Sequence, residues 1–264
     1  MSQAFSTRDL TFAQAPSGPL IGTLYAPADQ PLRALVLQVH GGGWCTGDRH
    51  QDSGLCARLA AQGIAVFAID FRMPPEARFP VAAQDVASAF EWLRGQAPEL
   101  GATCDRVGLL GMSSGGHLAA LVALNPGGVF LRQGCAYWIG CWPVVDPQAR
   151  YHFAQAGGRE DLVRNHDAFW RDEAQMGEGS PQQIVQRLQR HSLPPALLIQ
   201  GLEDENLDPE MTRRFARAYA VAGGHVELLN YADEPHAFMK RSPDSVNSQR
   251  ALKAMIDFIL TQAR

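Results

Sequence analysis

A strand-like run, Val107-Gly-Leu-Leu110, leads straight into Gly111-Met-Ser113-Ser-Gly115-Gly, and an alanine-rich, helix-like run over 117–124 follows. No other feature constrains the fold of this chain so tightly. A serine on a sharp turn between strand and helix is pushed into a strained, exposed conformation. Glycines flank it because larger side chains would clash where the backbone reverses. A bare Gly-x-Ser-x-Gly is common in simple loops. Its place between a strand and a helix, together with two further motifs, is what gives it force.

The first of these lies upstream. Leu35-Val-Leu-Gln-Val39 reads as a buried strand and runs into His40-Gly41-Gly42-Gly43-Trp44. Three successive glycines pack poorly and could be a flexible loop. At a strand end, however, bare backbone can approach a substrate and turn its N–H groups toward a developing oxyanion. The second lies downstream. The strand 195–200 is followed by Gly201-Leu-Glu-Asp204, and the strand 226–231 by Asp233-Glu-Pro-His236-Ala-Phe238. Serine, acid and histidine thus occur in that chain order, each on a loop after a strand, unlike the chymotrypsin and subtilisin orders. The combination predicts a serine hydrolase.

These residues resemble the α/β-hydrolases of the hormone-sensitive-lipase-like esterase group, which includes bacterial carboxylesterases and carbohydrate-ester deacetylases. His40-Gly-Gly-Gly-Trp44 is similar to the family's oxyanion motif, and Gly111-Met-Ser113-Ser-Gly-Gly to its nucleophile elbow. Asp70-Phe-Arg72-Met-Pro-Pro-Glu76, with Phe79-Pro80 and Asp85, resembles its DYRLAPE…FP…D segment. Gly201-x-x-Asp204 and His236-x-Phe238 resemble its acid and histidine loops. The likeness runs from about Leu20 to the C-terminus and is weakest over 143–195. Two positions depart from the pattern: Ser114 stands where alanine is usual, and Ala237 where glycine is frequent. Both are expected to bear on substrate preference more than on catalysis.

Strands and helices alternate along the chain without repeats, linkers or low-complexity tracts. A hairpin is expected from 11–14 and 20–25 around Pro16-Ser-Gly-Pro19, then helix 52–62, strand 64–69 and helix 81–94. Strands follow at 135–139, 195–200 and 226–231. A closing helix aligns Leu252, Met255, Ile256, Ile259 and Leu260 on one face. Such alternation gives a mostly parallel central sheet with helices on both faces, binding ligands at the carboxyl ends of its strands. The resemblance implies the α/β-hydrolase fold, as one domain over 1–264 with a small cap-like insertion at about 143–181. That insertion carries Tyr151, Phe153, Phe169 and Trp170 among mixed charges that include Arg150. Two of those aromatics are expected to face substrate.

With 264 residues, 46% of them hydrophobic, the chain can bury a large core. A net charge of −4 argues against an electrostatic hold on nucleic acid or an anionic membrane. The N-terminal residues lack the apolar run of a signal peptide, and no segment is long and apolar enough to span a bilayer. Five cysteines (Cys45, Cys56, Cys104, Cys135, Cys141) without metal-ligand spacing fit free thiols in a reducing cytoplasm. No histidine pair suggests a metal site, no cofactor is implied, and a homo-oligomer is compatible with the sequence.

Ser113 is the expected nucleophile and His236 the base. Asp204 is the expected acid, with Asp233 the other carboxylate within reach. Asp208, before Pro209, reads instead as a helix N-cap. Backbone N–H groups of Gly41, Gly42 and Ser114 would hold the oxyanion. Trp44, Trp138 and Trp142 are the candidate substrate-binding residues. Of Trp138 and Trp142, both placed at the end of the strand 135–139, one is expected in the pocket. His40 is expected to brace its loop and His117 to pack. His50, His152, His166, His191 and His225 are expected at the surface, and Arg72 and Asp85 in internal ion pairs. The expected reaction is hydrolysis of carboxylic esters of short acyl groups, the alcohol part aryl or otherwise apolar. The alternatives are an amide or formamide hydrolase resembling arylformamidases, and a non-catalytic ligand-binding protein of this fold.

Overall fold

The apolar runs become strands and the amphipathic runs helices, in the alternation the sequence predicts. The computed structural model describes residues 4–188 and 193–263. Strands β1 (Phe5–Ala15) and β2 (Gly18–Pro27) form the opening antiparallel hairpin, longer than its apolar residues suggest. Next come β3 (Ala34–Val39), α1 (Ser53–Ala60), β4 (Ile64–Ile69), α2 (Val81–Gln96), β5 (Val107–Met112), α3 (Ser114–Leu124) and β6 (Trp138–Cys141). Helices α4 (Pro147–Ala156), α5 (Glu160–Phe169), α6 (Glu173–Glu178) and α7 (Pro181–Arg187) lie between β6 and β7 (Ala196–Glu203). The chain continues through α8 (Pro209–Val221), β8 (Val226–Pro235), α9 (Phe238–Arg241) and α10 (Val246–Gln262).

The eight strands make one sheet in the order β1-β2-β4-β3-β5-β6-β7-β8. β1, β2 and β4 pair antiparallel, and from β4 through β8 every pairing is parallel. This is the α/β-hydrolase fold. Every residue of β3, β4 and β5 is buried, which is why these strands read as continuous apolar runs rather than alternating ones. Pairing of Val39 with Gly111, Met112 with Cys141 and Cys141 with Ile199 aligns the strands' carboxyl ends. The loops that follow β3, β5, β6, β7 and β8 therefore gather at one edge.

Two charged features support that edge from the side. Arg72 and Asp85 pair inside the protein as expected, Nη2 to Oδ1 at 2.5 Å, while the Arg72 amide donates to Oδ2 at 2.9 Å. Asp208 caps α8, accepting from the Glu210 amide at 3.0 Å.

One strand is displaced from its expected position. β6 begins at Trp138 and runs to Cys141, where the sequence suggested 135–139. Trp138 is therefore at the amino end of β6, paired with Leu109 and Ala196, away from the carboxyl edge. Its ring is fully buried, and Nε1 donates to Tyr219 Oη at 3.2 Å. Trp142 becomes the first residue beyond the strand.

Candidate active site

Ser113 follows β5 directly and precedes the first residue of α3. It takes φ 53° and ψ −117°, a conformation that side chains other than glycine rarely adopt. Three backbone bonds hold it: its amide donates to Cys141 O at 2.9 Å, and its carbonyl accepts from His117 N and Val144 N. Gly115 is required by close approach, since a Cβ there would run into the carbonyls of Val39 and His40. Among the described residues, the other non-glycine ones with positive φ are Trp44, Trp142, Ala237 and Asn125, and of these Asn125 alone lies away from this edge. Strain concentrated in one place is the pattern of a site whose geometry is held by its surroundings.

His236 and Asp204 are each the first residue past a strand, β8 and β7. His236 Nε2 lies 3.0 Å from Ser113 Oγ, and Nδ1 lies 2.8 and 3.0 Å from the Asp204 carboxylate oxygens. Asp204 also accepts from Gln200 Nε2 and from the amides of Asn206 and Leu207, at 2.9–3.0 Å. With the carboxylate fixed, Nδ1–H donates to Asp204, and Nε2 is left to accept from the serine hydroxyl. Asp233, the other carboxylate within reach in sequence, is exposed. Glu205 instead accepts the His236 amide at 3.1 Å and pairs with Arg241 at 2.6 Å, bracing the histidine loop.

The glycine loop lies against the serine: Gly41 and Gly42 line the same cavity as Ser113. The amides of Gly41, Gly42 and Ser114 donate to no acceptor among the described residues. Ser114 differs from expectation. Its side chain is fully buried, and Oγ accepts the Trp44 amide at 3.1 Å, so the hydroxyl ties the glycine loop to the elbow instead of meeting substrate.

Trp44 is likewise not a cavity residue. It is fully buried, stacked on Phe169 with ring centroids 5.1 Å apart, and edge-on to Trp170. Its Nε1 donates to His117 Nδ1 at 3.1 Å, and His117 Nε2 donates to Gly179 O at 2.8 Å. His117 thus links the glycine loop, the elbow helix and the segment between β6 and β7. Burial holds it neutral, pulling its pKa down to about 4. His40 is stacked on Phe71 at 4.4 Å and donates from Nδ1 to Gly41 O at 2.6 Å, bracing the loop as expected. Burial lowers its pKa as well.

A cavity of about 340 Å³ opens beside Ser113. Trp142 lines it, and so do Arg150, Leu162, Asn165 and Asn206, none of which sequence reasoning singled out for it. Trp138 and Trp44 do not line it, nor do Tyr151, Phe153, Phe169 and Trp170. Phe169 and Trp170 are buried against Trp44 because the large rings anchor the helical segment to the body. His166, expected at the surface, is fully buried and bonded to Arg150. His50, His152 and His225 are exposed; His191 lies outside the described residues. A second chamber of about 220 Å³, more apolar, shares Met112, Trp142, Gln51, Asp52 and Lys240 with the first. The Cys45 thiol faces Asn165 O at 3.5 Å and not the cavity, and burial raises its pKa. Among the described residues, no group of three or more His, Cys, Asp or Glu could hold a metal ion.

Comparisons with known proteins agree with this fold. A family model described as the alpha/beta hydrolase fold matches residues 36–240. Lipase 2 of Moraxella sp. (strain TA144) is 39% identical over 127 residues, covering 46% of this chain and 29% of the lipase. Esterase LipI of Mycobacterium tuberculosis (strain ATCC 25618 / H37Rv) is 35% identical over 245 residues, covering 85% of this chain and 72% of LipI. The chain therefore spans under a third of the first relative's length and just over two thirds of the second's. Among solved structures, EstE1, a thermophilic carboxylesterase cloned from a metagenomic library, superposes with a TM-score of 0.83 at 24% identity. That match covers 100% of this chain and 92% of EstE1.

Proposed function

This chain belongs to the alpha/beta hydrolase fold family, and from that premise we propose that it hydrolyses carboxylic esters through an acyl-enzyme on Ser113. The observation that carries the reading is the continuous chain of bonds from Ser113 Oγ through the His236 ring to Asp204, at 3.0 and 2.8 Å. A serine hydroxyl is a weak nucleophile at neutral pH. As Oγ attacks the ester carbonyl, His236 Nε2 takes its proton, and Asp204 fixes the ring tautomer and stabilises the imidazolium. The amides of Gly41, Gly42 and Ser114 receive the negative charge on the carbonyl oxygen. His236 returns the proton to the departing alcohol, leaving Ser113 acylated. Water then attacks the acyl group with His236 as base, and the acid departs.

The cavity's volume suits a small ester, and the apolar chamber beyond Met112 and Trp142 suits its apolar or aryl part. We read the chain as one domain in which residues 143–181 cap the cavity and contribute Arg150, Leu162 and Asn165 to its wall. Turnover of p-nitrophenyl acetate tests the reading, with N-formyl aromatic amines as the contrast. The ester should be cleaved far faster, and Ser113→Ala should reduce that rate by roughly 10⁴–10⁶-fold. Faster cleavage of the formamides would move the assignment to amide hydrolysis on the same residues. Near-normal activity in Ser113→Ala would overturn it.

A further inference from the structure

Arg150 lies in α4, where it is only 2% exposed, yet it lines the cavity that contains Ser113. Its guanidinium lies over the Trp44 ring, 5.6 Å from the centroid, and Nη1 donates to His166 Nε2 at 2.9 Å. A guanidinium only donates, so His166 accepts on Nε2 and carries its hydrogen on Nδ1. The histidine is neutral: burial first, then the charge of Arg150, pull its pKa far down. The one side-chain hydrogen-bond partner of Arg150 among the described residues is therefore uncharged.

Nε of Arg150 is buried without a protein partner, and no carboxylate among the described residues forms an ion pair with the guanidinium. The acids that act on it from a distance are bonded to other groups and not to Arg150. Asp204 is bonded to His236, and Asp161 pairs with Arg159 at 3.3 Å. Burial pulls Arg150 down to about 10, which leaves it cationic at neutral pH. A buried cation with no carboxylate bonded to it is costly, and an apolar side chain would pack over Trp44 without that cost. What only arginine adds is a planar fork of donors matched to a carboxylate.

We infer that the preferred substrates are esters carrying a free carboxylate, received by Arg150 on the wall formed with Asn165 and Asn206. The inference rests on the proposed attack of Ser113 on an ester and names the class of ester. The rest of the cavity orients such a substrate. Asp52 lines both chambers, whereas Arg150 lines only the one containing Ser113. Lys240 also lines both chambers, but its charge acts on Asp52, so the cation of the Ser113 cavity with no carboxylate beside it is Arg150. The apolar part is left for the chamber under Met112, Trp142 and Met239.

The test compares esters that differ only in that charge. Monomethyl glutarate puts the carboxylate on the acyl side and acetoxyacetate on the alcohol side; each is paired with its carboxamide, and p-nitrophenyl acetate serves as the reference. On the wild-type protein at neutral pH, at least one acid should exceed its amide in kcat/KM by roughly 10- to 100-fold. In Arg150→Met that ratio should fall to near one, whatever happens to the absolute rates. Where Arg150→Met does not fold, competitive inhibition of the wild type by glutarate but not by glutaramide carries the same information. Equal handling of acid and amide in both pairs, with p-nitrophenyl acetate turned over, would overturn this inference and leave the ester-hydrolase reading intact. If no ester is turned over, that reading fails, and calorimetry decides the Arg150 site on its own. Glutarate binding to the wild type above glutaramide supports the site, and no difference between them overturns it.

Discussion

One wall of the cavity is built from the carboxyl ends of β3, β5, β7 and β8, the other from helices α4 and α5, and the two differ in kind. The sheet wall works through backbone. Its amides at Gly41, Gly42 and Ser114 have no acceptor among the described residues, Ser113 is held in a strained turn, and Asp204 and His236 sit one residue past their strands. The helical wall works through side chains, Arg150, Leu162 and Asn165, set on short helices that are anchored by aromatic rings. Positions defined by a parallel sheet are rigid, which suits bond-making. Side chains on an inserted helical segment can change without disturbing the sheet, which suits the choice of substrate.

If that division holds, changes at the sheet wall should lower kcat and changes beside the apolar chamber should alter selectivity. After Ser113→Ala, the largest effect is expected from Asp204→Asn, which leaves the wrong histidine tautomer and should cut kcat by roughly 10³–10⁴-fold with the fold intact. Asp208→Ala, four residues on, should cost only about 1 kcal/mol of stability through the lost α8 cap, measured by denaturant unfolding. Exchanged behaviour between the two would mean that Asp208 is the catalytic carboxylate.

The two tryptophans at opposite ends of β6 sharpen the comparison next. Trp138→Ala removes a fully buried ring from beneath the sheet and should destabilise the protein by roughly 3–5 kcal/mol, with all substrates affected alike. Trp142→Ala alters the wall shared by the two chambers and should raise KM for aryl esters more than for small alkyl esters. A uniform loss across substrates in the second variant would return Trp142 to the core.

The seam between the walls should respond to acid. His117 and His166 are buried and neutral there, with pKa values lowered to about 4 and about 2, and His40 is lowered in the same direction. The unfolded chain protonates its histidines near pH 6.5, so below that pH it binds more protons than the native state does. The stability these groups contribute is fully present above about pH 6.5 and drains away as pH falls toward 4. The melting temperature should therefore drop across that window, and His117→Gln should flatten the slope. A melting temperature constant over the window would contradict the assigned burial.

The smallest effect concerns Ala237, which lines the cavity at φ 59°. Glycine reaches that conformation without strain, but it also has more freedom to lose on folding. Ala237→Gly should stabilise the protein by no more than about 1 kcal/mol, with activity nearly unchanged. A larger gain would mean that the histidine loop stores strain beyond this residue.

The same division explains which parts could be read from the chain. The sheet wall follows from local pattern: an apolar run, then a glycine motif or a lone Asp or His, and one edge on which parallel strands must deliver them. The helical wall has no such signal. Arg150 sits among mixed charges, and nothing local says that it turns inward while its neighbour Tyr151 pairs at the surface with Asp167. Arg150, Leu162 and Asn165 meet only once α4 and α5 pack against each other. The displacement of β6 has a simpler cause. Cys135-Ala-Tyr-Trp-Ile-Gly-Cys-Trp142 is apolar throughout, so periodicity cannot fix where a four-residue strand begins within it. The position of that strand decides which of its two tryptophans reaches the cavity.

Direct detection of the acyl-enzyme shows whether Ser113 is the nucleophile. The protein is mixed with a short-chain p-nitrophenyl ester, quenched in acid within the first turnovers, digested, and its peptides weighed. A burst of nitrophenol is expected, with one acyl adduct, on the peptide carrying Ser113, absent from Ser113→Ala. Nitrophenol release without that adduct, or an adduct on another residue in a variant that still turns over ester, would contradict that role for Ser113.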